Sequence, residues 1–488
     1  MKTRIFLSLI CCAMSVQTFA QSTVRKFILT NSADGQSEIT VYLPSAESAA
    51  LANGRAIVDC PGGGYSHLSM DNEGHNWAEF YNEQGIAYVV LKYRMPYGNR
   101  NVPLSDAYRA IRTVRDSCKV WNINPYNVGI QGFSAGGHLA SAVSTHAPFD
   151  ARPNFSILFY PVITMNTRIS HTASCAGFLG ENGLQDEKLV REWSSDKAVR
   201  RHLTPPAIVI LANDDRVVPP APNGAAYYSS MRQAGNNCSF LAYPSGGHGF
   251  GFKDTFRYHE LMKAELRQWL SDLRIQKESD IRVACVGNSI TDGMGIDMAS
   301  KFGYPAQLGV RLGEGYAVKN FGVSGRTMSE RGDLPYQKEQ AWKDCLAWKP
   351  NIVIIKLGTN DSKTANWNYA KDDYIQSLNQ MVDSLNALPS KPRIIVASPI
   401  PAFRDIWTIT DSVITNGIIP LLEKYTQKKN LEYLDLHSQF KNIEKVMQPD
   451  GIHPTDKGAA QIASLVATAI KTEPKKATNS KTSKKKKL

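Results

Sequence analysis

At 488 residues the chain is too long for one ordinary domain, and two or three are expected. Its 42% hydrophobic and 20% charged residues are ordinary for a soluble globular protein. The net charge of +12 does not mark a polyanion binder: +7 lies in the tail from Lys471 and +2 in Lys2 and Arg4, leaving +3 for the rest.

The N-terminus begins with Lys2 and Arg4, then the apolar stretch "IFLSLICCAMSV", then "QTFAQ". A charged start, a short apolar core and a small residue at the cut predict an export signal over residues 1–20, cleaved after Ala20. The alternative is a buried N-terminal helix. Export sets the protein in the periplasm or outside the cell and argues against nucleic acid as a partner. No later stretch approaches the roughly 20 apolar residues of a membrane span. Cys11 and Cys12 fall inside the signal, and Ile10 is too bulky for the usual lipoprotein cut before Cys11. The six remaining cysteines, Cys60, Cys118, Cys175, Cys238, Cys285 and Cys345, form no C-x-x-C pair, so their spacing does not indicate zinc. They are open to disulfide pairing or to burial as free thiols.

From 55 to 273, short β-branched runs alternate with helical patterns. "AIVDC" (56–60), "IAYVVLKY" (86–93), "NVGIQG" (127–132), "SILFY" (156–160), "AIVILA" (207–212) and "CSFLAY" (238–243) read as strands, several of them apolar throughout, as in a sheet covered on both faces. In "LSDAYRAIRTVRDSCKVW" the residues Leu104, Ala107, Ile111, Val114, Cys118 and Trp121 recur on one helical face. The alternation predicts a mainly parallel α/β sheet.

"NVGIQGFSAGGHLASAV" then reads as strand, tight turn and helix. Gly132 and Gly136 flank Ser134 as G-x-S-x-G, where residues without side chains let strand and helix close around an exposed hydroxyl. The N–H of Ala135 becomes an oxyanion donor. A serine needs a base and an orienting acid. "NDDRVVPP" ends a strand with Asp214 and Asp215, and "PSGGHGFG" holds His248 in a glycine-rich loop. The candidate triad is Ser134, His248 and an aspartate, and Asp215 is preferred over the alternative Asp214 because its D-x-x-V-P setting resembles that of α/β-hydrolases. "DCPGGGYSH" follows the first of these strands. Its Gly62, Gly63 and Gly64 bring further N–H groups near an oxyanion, Gly63 and Gly64 being the candidate donors. "PGGGY", "GFSAGGHLAS", "NDDRVVPP" and "GGHGF" resemble the acetyl and feruloyl esterases of the α/β-hydrolase fold that act on plant polysaccharides. The resemblance covers about 40–273 and implies a hydrolase domain over 21–275. Esterases of this kind often read HGGG at the oxyanion loop, and Pro61 stands in place of that histidine, which leaves the loop's anchoring open but not its donors.

After the polar stretch "QKESD" a second set of strands begins: "IRVACVG", "YAVKNFG", "NIVIIKLG", "RIIVASP" and "LEYLDL". Four blocks follow strands. "VGNSITDG" exposes Ser289, "NFGVSGRT" contains Gly325, "LGTNDSK" presents Asn360, and "PDGIHP" supplies Asp450 and His453. Strand ends of an open α/β sheet share one edge and form a crevice there. Asp450 can hold one nitrogen of His453 while the other takes the proton of Ser289. The N–H groups of Ser289 and Gly325 and the amide of Asn360 then face the oxyanion. These blocks resemble the SGNH (GDSL) hydrolases, and the whole of 281–470 resembles that family's carbohydrate acetylesterases and sialate O-acetylesterases. The resemblance implies an SGNH domain over 281–472, with Asn288 where the family usually has aspartate. Trp367 is either a sugar-stacking residue or a packed one, and packing is the ordinary role of such a tryptophan. The tail from 473 to 488 is polar and basic and reads as disordered.

The expectation is a two-domain α/β protein: an α/β-hydrolase fold followed by an SGNH-hydrolase (flavodoxin-like α/β/α) fold, with an independent Ser-His-Asp triad in each. The resemblances imply a carboxylic ester hydrolase that removes O-acetyl groups from polysaccharide or oligosaccharide, with acetylated xylan favoured. Alternatives are a sialate O-acetylesterase active mainly in its SGNH half, a feruloyl esterase joined to an acetylesterase, or one half that only binds carbohydrate. No metal-binding spacing and no dinucleotide fingerprint is present, so neither metal nor cofactor is expected. His67, His75, His138, His146, His171, His202, His259 and His437 read as surface or packing residues.

Overall fold

Mostly apolar runs become the central strands of the first sheet. In the computed structural model, which describes residues 25–440 and 444–472, strands β3 (Ala56–Cys60), β5 (Val128–Phe133), β6 (Ser156–Phe159) and β7 (Ala207–Ala212) are buried along their whole length. With β1 (Arg25–Thr30), β2 (Glu38–Leu43), β4 (Ala87–Lys92) and β8 (Cys238–Tyr243) they form an eight-stranded sheet of order β1-β2-β4-β3-β5-β6-β7-β8. The sheet is parallel except at one edge, where β2 runs antiparallel to both β1 and β4. The six predicted strands fall at β3 to β8. The β1–β2 hairpin is additional, and the largely exposed β1 is its edge. The predicted export signal and the basic tail lie outside the described residues.

The predicted amphipathic helix spans Asn101–Asp116 and buries Leu104, Ala107, Ile111 and Val114. It ends at Ser117, and a separate short turn, Cys118–Trp121, carries Trp121 onto Phe27 of β1 at 5.6 Å. Asp and Ser are poor helix-interior residues, which fits a break there.

The second sheet holds β9 (Ile281–Gly287), β10 (Tyr316–Gly322), β11 (Ile352–Lys356), β12 (Arg393–Ala397) and β13 (Glu432–Leu434), all parallel, in the order β10-β9-β11-β12-β13. In sequence order this is 2-1-3-4-5, the flavodoxin-like winding, whose order reverses beside β9 and leaves a crevice at the carboxyl ends there. Two apolar clusters cover the two faces, one including Trp342, Tyr374 and Ile418, the other Ile290, Tyr304 and Ile462.

The halves meet through polar contacts. Arg152 pairs with Asp344 at 2.5 Å, both buried, Asn124 donates to the Gln276 carbonyl, and Arg274 donates to the carbonyls of Gly313 and Tyr316. Among the described residues all six cysteines are unpaired, five of them buried. None of the described helices is long and apolar enough to cross a membrane.

Candidate active sites

The turn after β5 holds Ser134 at φ 53°, in the left-handed region that non-glycine residues rarely occupy. The two flanking glycines make so sharp a turn possible. A Cβ on Gly136 would lie 2.5 Å from the Pro61 carbonyl oxygen, and one on Gly132 would lie 2.9 Å from the Ala140 Cβ. Strand, turn and the helix Ser134–His146 therefore close tightly, and the Ala135 N–H lies in the first helical turn, where backbone donors lack partners within the helix.

His248 reaches this serine. Its Nε2 is 2.8 Å from the Ser134 Oγ, and its Nδ1 is 2.7 Å from the Asp215 Oδ2. The other oxygen of Asp215 accepts from the N–H groups of Val217 and Val218, each at 2.9 Å. Asp215 is buried, whereas Asp214 is exposed and accepts from the Gly247 N–H instead. The alternative acid is thus turned to the loop backbone, where that hydrogen bond holds its carboxyl below the ordinary value.

The glycine loop has an anchor that the sequence did not reveal. The Gly62 N–H donates to Glu73 Oε2 at 3.0 Å, and Tyr160 donates its hydroxyl to Glu73 Oε1 at 2.7 Å. The Tyr160 oxygen accepts from the Gly251 N–H, and the ring stands edge-on to His248 at 4.8 Å. Tyr93 ties the Pro61 carbonyl from the other side. Glu73 therefore connects the glycine loop to the loop that carries His248. Burial pushes its carboxyl above the ordinary value, against the hydrogen bonds from Tyr160 and Gly62. Gly63 and Gly64 have φ of 138° and 67°, and their N–H groups have no acceptor among the described residues.

The second site is built on the carboxyl edge of the second sheet. Ser289 opens a single helical turn after β9, with the Asn288 side chain capping it by accepting from the Ile290 N–H. Asn288, standing where the family usually has aspartate, thus makes a local hydrogen bond. His453 Nε2 lies 2.7 Å from the Ser289 Oγ, and its Nδ1 lies 2.7 Å from Asp450 Oδ2. Burial pushes the Asp450 carboxyl up, but hydrogen bonds from the N–H groups of His453 and Ile452 and from the His453 ring bring it below its ordinary value.

Gly325 has φ 81°, and its N–H is without an acceptor among the described residues. Asn360 spends one amide hydrogen on the Arg326 carbonyl at 3.1 Å, leaving the other free. That bond ties the Gly325 loop to the loop after β11. Behind it, buried Asp361 accepts from the N–H groups of Met328 and Ser329, each at 2.9 Å, and burial pushes its carboxyl up to about 6.

The tryptophan beside this site is not Trp367, which packs partly buried against the second core. Trp407 is 54% exposed, has φ 54°, and stands 5.9 Å from the His453 ring. Among the described residues no group of three or more His, Cys, Asp or Glu side chains is arranged to hold a metal ion.

The alpha/beta hydrolase fold family matches residues 57–252, and the GDSL-like Lipase/Acylhydrolase family matches residues 285–461. Over 475 residues the chain is 51% identical to the acetylxylan esterase of Xylanibacter ruminicola, covering 94% of this chain and 98% of that one. Endo-1,4-beta-xylanase B of Butyrivibrio fibrisolvens is 33% identical over 205 residues, 39% of this chain and 31% of the xylanase. Among solved structures, the acetyl ester-xyloside bifunctional hydrolase of Caldicellulosiruptor lactoaceticus is 32% identical and covers 48% of this chain and 87% of that one, with a TM-score of 0.44. The chain belongs to the family of the Xylanibacter ruminicola esterase: it is a carboxylic ester hydrolase that joins an α/β-hydrolase half to a GDSL-like half.

Proposed function

We propose that the protein is an exported esterase that removes acetyl groups from xylan or a related plant polysaccharide or oligosaccharide, with an independent serine site in each half. The observation that carries this reading is the pair of unbroken serine–histidine–aspartate chains, each with contacts of 2.7–2.8 Å. The acetyl-ester preference is supported by the name of the relative that is 51% identical along the chain. The export reading rests on the charged and apolar pattern of residues 1–20.

In the first site His248 takes the Ser134 proton on Nε2 as the hydroxyl attacks the acetyl carbonyl. Asp215 holds the ring in the tautomer that leaves Nε2 free and stabilises the imidazolium that forms. The carbonyl oxygen becomes an oxyanion facing the N–H groups of Ala135, Gly63 and Gly64. His248 then gives the proton to the departing sugar oxygen as its bond to the carbonyl carbon breaks, releasing the sugar hydroxyl and leaving an acetyl-serine. Water attacks by the same sequence and releases acetate. Ser289, His453 and Asp450 repeat these steps, with Gly325 and Asn360 as oxyanion donors. Each such donor is worth on the order of 3 kcal/mol of barrier. Beside the second site, Trp407 presents an exposed ring to the face of a sugar.

The test is acetate release from acetylated xylan by the parent, Ser134→Ala, Ser289→Ala and the double variant. Each single variant should retain the other site's activity, and the double variant should retain none.

A further inference from the structure

We infer that Arg201 and His202, in the first half of the chain, are positioning residues for the second site: they hold Asp292, and through it the loop that carries Gly325. The inference rests on the assignment of Ser289 as nucleophile and of Gly325 as oxyanion donor.

Asp292 closes the single helical turn that Ser289 opens, its N–H bonded to the Asn288 carbonyl. One carboxylate oxygen, Oδ2, accepts from the hydroxyl of Ser324, the residue before Gly325. The other, Oδ1, lies 2.8 Å from Arg201 Nε and 2.9 Å from His202 Nε2. The backbone of the same turn is gripped as well. The Asp292 carbonyl accepts from His202 Nε2 at 2.7 Å, and the Gly293 carbonyl accepts from Arg201 Nη2 at 2.8 Å. Both partners of His202 Nε2 are acceptors, so this nitrogen carries a proton and donates to the two.

The contact is built rather than incidental. The side chains of His202 and Asp292 are 8% and 9% exposed, so the contact between them is largely shielded from water and salt. His202 adopts φ 60°, a strained conformation, and is fixed there by its N–H bond to the Asn236 side chain. Burial pushes the Asp292 carboxyl up, and His202, Arg201 and Ser324 together bring it below its ordinary value.

One carboxylate thus joins the nucleophile's turn, the oxyanion loop and the opposite half of the molecule. Without Arg201 and His202, Asp292 is left buried with one neutral hydroxyl partner. It then has reason to turn toward water and release Ser324. A displacement of about 1 Å in a reacting group can lower a rate on the order of 100-fold.

The experiment uses the full chain. In a Ser134→Ala background, only the second site turns over p-nitrophenyl acetate. There Arg201→Ala and His202→Ala should each lower kcat by roughly 10- to 100-fold with KM changed by less than about threefold, since the loop acts on the transition state. Ser324→Ala cuts the last link while leaving the interface intact, and should reproduce the loss even where the other variants fold poorly. Combining it with His202→Ala should add little, because both remove one linkage. Arg274→Ala, which removes an interface contact elsewhere, should leave the kcat of both sites unchanged. In a Ser289→Ala background, Arg201→Ala and His202→Ala should leave the first site's kcat unchanged. Unchanged second-site kcat in Arg201→Ala and His202→Ala, or fully additive losses with Ser324→Ala, would overturn the inference. Persistence of turnover in the Ser134→Ala, Ser289→Ala double variant would instead overturn the nucleophile assignment on which it rests.

Discussion

Glu73 gives the sharpest quantitative test of how the first site is held. It is 5% exposed and satisfies two donors, the Gly62 N–H at 3.0 Å and the Tyr160 hydroxyl at 2.7 Å. In Glu73→Ala both donors are left buried without a partner. Each unsatisfied group costs about 1–3 kcal/mol, so stability should fall by roughly 2–6 kcal/mol before the lost packing is counted. In Glu73→Gln one amide oxygen replaces two carboxylate oxygens, and the amide NH2 faces a tyrosine oxygen that already accepts from Gly251. Only one donor is then stranded, and relief from burying a carboxylate offsets part of the loss, so the cost should be about 1–3 kcal/mol or less. The catalytic effect has a separate source. Gly62 precedes the two donor glycines, and a Cβ on it would lie 3.0 Å from the Ser134 Cβ, so the loop lies directly against the serine. Freeing it should lower the first site's kcat by about 10- to 100-fold in Glu73→Ala and less in Glu73→Gln. Urea unfolding reads the stability, and p-nitrophenyl acetate turnover in a Ser289→Ala background reads the rate. If Glu73→Ala matched the parent in both midpoint and kcat, the anchoring argument would be wrong.

Three further outcomes follow from the geometry. Asp215→Asn should lower the first site's kcat by about 10⁴-fold by removing the carboxylate that fixes the His248 tautomer, whereas Asp214→Asn should change it little; equal losses from the two would contradict the assignment of Asp215. Trp407→Ala should raise KM for acetylated xylo-oligosaccharides about three- to tenfold at the second site, with KM for p-nitrophenyl acetate unchanged, a split that steady-state kinetics in a Ser134→Ala background resolves. The Asp450 carboxyl is held below its ordinary 3.8, so the unfolded chain takes up its proton first on acidification. Its stabilising contribution is therefore present above that value and disappears as pH falls through the lower folded one. Urea unfolding of the parent and Asp450→Asn over this acid range should show the parent losing stability more steeply, and parallel curves would refute the shift.

The grouping of each serine with a histidine and an aspartate was legible because each member stands in a short loop block that chemistry constrains. Ser134 needs flanking glycines for a turn at φ 53°, and Asp450 sits three positions before His453, within one loop. Strand positions were legible for a similar reason. β3, β5, β6 and β7 are buried throughout, and their mostly apolar composition reports that burial. The β1–β2 hairpin went unseen: the largely exposed β1 carries little burial signal, although β2 is buried over Ile39–Leu43 and carries an apolar run of its own. Glu73, Trp407 and the Arg201–His202 pair were also missed. Glu73 touches residues 62 and 160, and Asp292 lies 90 positions from His202, so no local period or spacing encodes either contact. Such residues lack a motif because their roles come from tertiary closure alone. Reading His202 as a surface or packing residue was the natural inference for a histidine without a local partner, and the structure instead gives it a carboxylate in the other half.

The most direct measurement is acetate released from acetylated xylan by the full chain, its two single serine variants and the double variant, with each protein checked for folding. Two independent hydrolytic centres predict that Ser134→Ala and Ser289→Ala each keep part of the activity, that the two parts together account for the parent's, and that the double variant releases none. Full parental activity in the double variant, or complete loss in either single one, would contradict the account.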